Sequence, residues 1–133
     1  MQNGVNAYKK AAIQSTPQDK LLIMLYDHAI RYLKVAKDAC ATKDYEATND
    51  NLLKAQDIVT ELIVQLNMEY EVAQSLYRLY DYFRRRLIEA NMQKNMKHVD
   101  EVIGHLTELR ETWIQAALII KQEGTNRGLS YAG

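Results

Sequence analysis

Apolar residues recur every three or four positions in four separate stretches of this chain, the period of a helix with one buried face. The first stretch runs from Pro17 to Cys40 and has Leu22, Leu25, Tyr26, Ala29, Leu33 and Ala36 along one stripe. A second set, Leu21, Met24, His28, Tyr32, Val35 and Ala39, falls almost opposite, leaving Asp27, Arg31, Lys34 and Asp38 as the polar strip. A helix that is apolar nearly all round is either buried or shaped for a partner. The second stretch, 45–66, puts Tyr45, Leu52, Ala55, Val59, Leu62, Ile63 and Leu66 on one face. The third, 70–91, does so with Val72, Leu76, Leu79, Tyr80, Phe83, Leu87 and Ala90. The fourth, 96–122, has the cleanest seam: Val99, Val102, Leu106, Leu109, Trp113, Ala116 and Ile120.

Punctuation agrees with these limits. Thr16-Pro17 is a helix start, with Thr16 as cap, Pro17 at the first helical position and Asp19 at the positive end of the dipole. Asp44 offers a cap to the second helix, and Asn67-Met68-Glu69 and the polar Asn91–Asn95 run read as turns. Connections this short set successive helices antiparallel. The expected fold is all-α: an antiparallel up-down four-helix bundle of helices about 30 Å long. Residues 1–15 form an N-terminal arm, 16–122 the bundle and 123–133 a flexible tail with three glycines.

Composition narrows the function. The chain has 133 residues, with 17 Lys plus Arg against 17 Asp plus Glu. That balance argues against a nucleic-acid binder. Arg84-Arg85-Arg86 is the sharpest cluster, but on a helix its members point in different directions and read as a solvated face. Cys40 is the single cysteine, so no internal disulfide forms, and a reduced, cytoplasmic setting is expected. The apolar run Leu21–Tyr26 falls far short of the roughly 20 residues of a membrane span, so membrane insertion is not expected.

Chemistry for catalysis is missing from the pattern. A di-iron bundle needs Glu-x-x-His pairs, and none of His28, His98 and His105 has Glu three residues before it. Glu101 and His105 lie off the helix-four seam and read as an exposed acid near an exposed imidazole. Cys40 closes the first helix, where the negative end of the dipole does not favour a nucleophilic thiolate, and reads as a small core or boundary residue. No Gly-rich phosphate loop exists, because no glycine occurs between Gly4 and Gly104. The expectation is a protein that is no enzyme and holds no cofactor or metal.

What remains is binding. Leu53 and Val64 fall off the second helix's stripe three turns apart, and Ile103, Ile114 and Leu118 form a weaker line beside the fourth helix's seam. Such residues line grooves for an amphipathic segment. A homodimer interface would use the same residues, and the pattern leaves the two open. Nine tyrosines against one phenylalanine suit surfaces alternately wet and covered.

An ordered set of short segments then resembles a known family. These are Tyr8, Thr16-Pro17, Leu21, Met24-Leu25-Tyr26-Asp27, Ala29-Ile30, Lys54-Ala55-Gln56-Asp57-Ile58 and Glu61-Leu62. They continue with Leu79-Tyr80-Asp81-Tyr82, Arg86-Leu87, Glu89-Ala90-Asn91, Glu101-Val102, Leu109-Arg110 and Trp113. In order and spacing the chain resembles the flagellar secretion chaperones of the FliS family from about Tyr8 to Ala116. His28 departs from the glycine common there, and the Asn67–Tyr70 break lacks that family's glycines.

The resemblance implies an antiparallel helical bundle in the bacterial cytosol that binds the C-terminal segment of flagellin. That segment is disordered in the free monomer and helical in the filament, so covering it blocks premature polymerisation. The resemblance further implies delivery to the flagellar type III export apparatus, with the export gate as a second partner. It also implies an arm, carrying Tyr8, that lies over part of the groove and is displaced by the client. Client contacts are expected at Leu53, Val64, Ile103, Ile114 and Leu118, chosen as off-seam positions, with Tyr8 as the cover.

Overall fold

The computed structural model describes the backbone of residues 17–132 and the side chains of residues 19–118. It is all-α: α1 (Pro17–Ala41), α2 (Tyr45–Val64), α3 (Glu71–Gln93) and α4 (Met96–Ala132), with no strand among the described residues. Pro17 opens α1 as expected; Thr16, Tyr8 and the rest of the arm lie outside the described residues. Helical backbone in α4 continues past 122 to Ala132, and the side chains of the expected tail are likewise outside those described.

Side-chain chemistry at the junctions explains the breaks. After α1 the chain turns at Lys43, which takes a left-handed φ of 62°. Lys43 N–H then donates to the Cys40 carbonyl (3.0 Å) and Asp44 N–H to that of Ala39 (2.9 Å). This paired pattern satisfies the last carbonyls of a helix. Asp44 next caps α2, its carboxylate accepting from Ala47 N–H at 3.2 Å. Lys94, at φ 53°, ends α3 in the same left-handed way. Asn95 does double duty: its N–H donates to the Ala90 carbonyl (3.1 Å), and its side chain accepts from Lys97 N–H (3.0 Å) at the start of α4.

The chain divides into two compact units. One is Leu25–Thr107; the other joins Met1–Met24 with Glu108–Gly133. In the first, successive helices joined by short turns bury Tyr26, Ala29, Leu33 and Ala36 from α1 and Leu52, Ala55, Val59 and Leu62 from α2. From α3 come Ala73, Tyr80, Phe83, Leu87 and Ala90, and from α4 Val99, Val102 and Leu106. Thr48 is the buried polar residue of this core, and its hydroxyl donates to the Asp44 carbonyl (2.8 Å). The second unit buries Ile23 and Ala117.

The stripes shift in places. Ala73, rather than Val72, starts the buried face of α3; both fit the helical spacing to Leu76 and Tyr80, and packing turns the smaller residue inward while Val72 is exposed. On α1, Ile23 is buried and Leu22 half-buried. Leu109, Trp113 and Ala116 are half-buried, and Ala117 takes the inner position expected of Ala116.

The core also holds an unexpected polar pair. The Tyr26 and Tyr80 hydroxyls, on α1 and α3, hydrogen-bond to each other where both residues are fully buried. Burial, then the neighbouring Tyr26 hydroxyl, raises the Tyr80 pKa far above the ordinary phenol value. The pair ties α1 to α3 inside the core.

Candidate binding groove

Charged side chains first show what the surface does not do. Arg84 and Arg85 both reach Asp81 (2.8 and 3.3 Å), and Arg86 bridges Glu89 and Glu101 (3.0 Å each). The arginine run is therefore occupied by local carboxylates, and no phosphate cradle results. Glu101 corrects an expectation. It is a half-buried joint between α3 and α4 that accepts from the Tyr82 hydroxyl (2.8 Å) and the Arg86 Nε (3.0 Å). The Tyr82 hydrogen bond, followed by the hydrogen bond and charge of Arg86, holds the Glu101 carboxyl below the ordinary glutamate range against a partial desolvation. His105 stacks on Phe83 with ring centroids 5.5 Å apart. The helical offset of these residues from the α4 seam turns them toward α3 rather than solvent. Among the described residues no group of three His, Cys, Asp or Glu gathers for a metal.

The apolar surplus is real. On the outer face of α1, Val35 is exposed and His28 and Tyr32 are half-buried. Arg31 and the α2 residue Lys54 each approach the Tyr32 ring to 5.6 Å, so this ring is flanked by two cations. Leu21 and Met24, in the other unit, are exposed.

A formed depression lies between α2 and α3. Its open volume is ≈ 280 Å³, and Asn49, Leu53, Gln56, Ile88, Asn91, Met92 and Lys94 line it. Leu53, Ile88 and Met92 supply exposed apolar surface, with Met92 81% exposed. The polar part is pre-set. Asn91 Nδ2 donates to Asn49 Oδ1 (2.7 Å), and the Lys94 ammonium donates to Asn91 Oδ1. The Cys40 thiol meets the Lys94 carbonyl at 3.7 Å. Three helices thus fix one rim, while Leu53, Ile88 and Met92 opposite stay exposed among the described residues. A thioether at that edge adapts its shape to what it meets. Such a groove takes an apolar side chain or two and offers amide groups to a bound backbone.

Of the expected contact residues, Leu53 lies in this groove. Val64 is exposed at the C-terminal end of α2, and Ile103 is half-buried on α4. Ile114 and Leu118 are half-buried in the other unit, and Tyr8 is outside the described residues. Within the Leu25–Thr107 unit, Val64 and Ile103 are not among the residues that line the groove with Leu53. Ile88 and Met92 were missing from the expected set, although their i, i+4 spacing off the α3 stripe marks one outward face.

Comparison with known proteins fits a helical protein whose distinguishing feature is uncovered apolar surface. The family model described as flagellar protein FliS matches residues 1–120. The chain belongs to the FliS family. Flagellar secretion chaperone FliS of Bacillus subtilis strain 168 is 35% identical over 116 residues, covering 87% of each chain. That of Salmonella typhimurium strain LT2 is 33% identical over 120 residues, 85% of this chain and 89% of the relative. That of Campylobacter jejuni is 37% identical over 119 residues, 85% of this chain and 91% of the relative. These relatives are named flagellar secretion chaperones, and no helix among this chain's described residues is long and apolar enough to cross a membrane.

Proposed function

We propose that this protein is a cytosolic export chaperone for flagellin. It binds the disordered C-terminal segment of flagellin, keeps it from polymerising and delivers it to the flagellar type III export apparatus. The observation that supports this reading in the fold is the α2–α3 groove, open along Leu53, Ile88 and Met92 and ordered by Asn49, Asn91 and Lys94. Membership of the FliS family, whose curated relatives are named flagellar secretion chaperones, supports the reading.

The physics suits such a client. Ordering a disordered segment costs about 2–5 kcal/mol or more, which contacts along an apolar groove offset. Release at the export gate requires the surplus to stay modest. Leu53 anchors the client together with Ile88 and Met92, and the arm carrying Tyr8 covers the groove until the client arrives. Nothing in this scheme calls for catalysis, a metal or a cofactor.

Calorimetric titration with the C-terminal segment of the cognate flagellin tests it, with a shuffled segment as control. Saturable one-to-one binding with a negative heat-capacity change is expected. Leu53→Asp and Ile88→Asp should each weaken it about tenfold or more, since a carboxylate in an apolar contact costs upward of 1.4 kcal/mol. Absence of binding by the authentic segment would remove flagellin as the client. Unchanged affinity in both folded variants would remove the groove.

A further inference from the structure

A second surface lies at the other end of the α2–α3 pair, about 16 Å along α2 from Leu53 at the ordinary helical rise. Val64, Met68, Tyr70 and Val72 are 47–67% exposed. They are four of the twelve exposed large apolar side chains among the described residues, all within one connection. The turn beneath them is ordered. Glu69 N–H donates to Asn67 Oδ1 (3.1 Å), Tyr70 N–H to the Asn67 carbonyl (3.2 Å) and Ala73 N–H to the Tyr70 carbonyl (3.1 Å). Tyr70 occupies the N-cap of α3 with extended backbone, and its side chain makes no capping bond. Ser, Asp or Asn would stabilise the helix there. A tyrosine that gives up the cap and stays 64% exposed gains nothing from the fold that holds it.

Charge identifies the occupant. Residues 61–77 contain Glu61, Glu69 and Glu71 and no Lys or Arg. Among the described residues none of these three is ion-paired; Glu61 accepts only from the Gln65 amide (2.9 Å). In the same unit Asp81, Glu89, Asp100 and Glu101 are held by Lys or Arg, while Asp38, Glu46, Asp50 and Asp57 share the tip's lack of an ion pair among the described residues; what sets the tip apart is that Glu69 and Glu71 flank the exposed Tyr70. We propose that this tip is a docking site for a second protein, presented as a basic amphipathic helix whose apolar face covers Tyr70 and Val72. Its Lys or Arg side chains would meet Glu61, Glu69 and Glu71. A second copy of this chain fits poorly, because a two-fold contact would set the same carboxylates against each other. The site is separate from the client groove and is available whether or not the groove is filled.

The test uses the full chain and a fluorescent Leu/Lys amphipathic peptide of about 18 residues, long enough to be helical when bound. A Leu/Glu peptide of the same pattern is the control. Saturable binding of the basic peptide only is expected, weakening as salt rises. The double variant Glu69→Lys, Glu71→Lys should weaken it about tenfold, and Tyr70→Ala should act in the same direction. Leu53→Asp should leave it unchanged, and authentic flagellin segment should not displace it. Equal binding of both peptides, insensitivity to the charge reversal, or loss on Leu53→Asp would overturn the proposal. So would displacement by the flagellin segment, or a concentration-dependent dimer in sedimentation that Val72→Asp abolishes. The Leu53 and Glu69/Glu71 variants are read against separate ligands, so failure of the tip and failure of the flagellin reading leave different records.

Discussion

The two ends of the α2–α3 pair are built on opposite plans. At the end near Leu53 and Met92, polar side chains from three helices lock one another: Asn49 to Asn91, Asn91 to Lys94, and Cys40 to the Lys94 backbone. At the end holding Val64–Val72, backbone hydrogen bonds and one Asn67 side chain fix the turn, and the large side chains stand free of it. The first end resembles a socket, with an apolar floor whose rim cannot rearrange without breaking hydrogen bonds. The second resembles a plug, whose apolar groups await a surface supplied by something else. Fixing a polar rim lowers the ordering cost when a disordered chain arrives, whereas a short ordered turn loses little by leaving its side chains exposed.

Variants at the two ends sharpen this contrast. Asn91→Ala removes both side-chain bonds of the lock and should cost about 1–2 kcal/mol in denaturant unfolding, as expected for lost part-buried hydrogen bonds. Lys94→Gly should act the other way. Its left-handed backbone suits glycine, so the change should add about 0.5–1 kcal/mol of stability. It should also loosen client binding, since it deletes the ammonium on Asn91. Val72→Asp at the tip should move stability by less than about 0.5 kcal/mol, because an exposed side chain has little to lose. A Val72→Asp effect as large as that of Asn91→Ala would mean the tip is structural, and the contrast would collapse.

Much of the fold was legible along the chain. Pro17, Asp44 and the Asn67 turn mark boundaries by local chemistry, and the stripes on α1 and α2 show most of the core. The phase of α3 was harder to see, since Val72 and Ala73 both continue an acceptable apolar stripe, and only packing selects the smaller residue. The groove was half legible. Leu53 stood out on its own helix, but a pattern within one helix does not say which neighbour brings its outward residues alongside, so Ile88 and Met92 were hidden. The Tyr82–Glu101–Arg86 joint was equally invisible, because its members belong to different helices and each alone reads as a surface residue.

The tyrosine pair in the core bears on how the groove would adapt to the client proposed for it. Sliding α3 along α1 by one turn, about 5.4 Å, would part the Tyr26 and Tyr80 hydroxyls inside a dry interior. The helices therefore have a single longitudinal setting, like a bolt in its detent. On the proposed reading, accommodation of different client sequences falls to rotation of side chains such as Met92 at the rim, and the spacing of the anchors stays that of a rigid ruler.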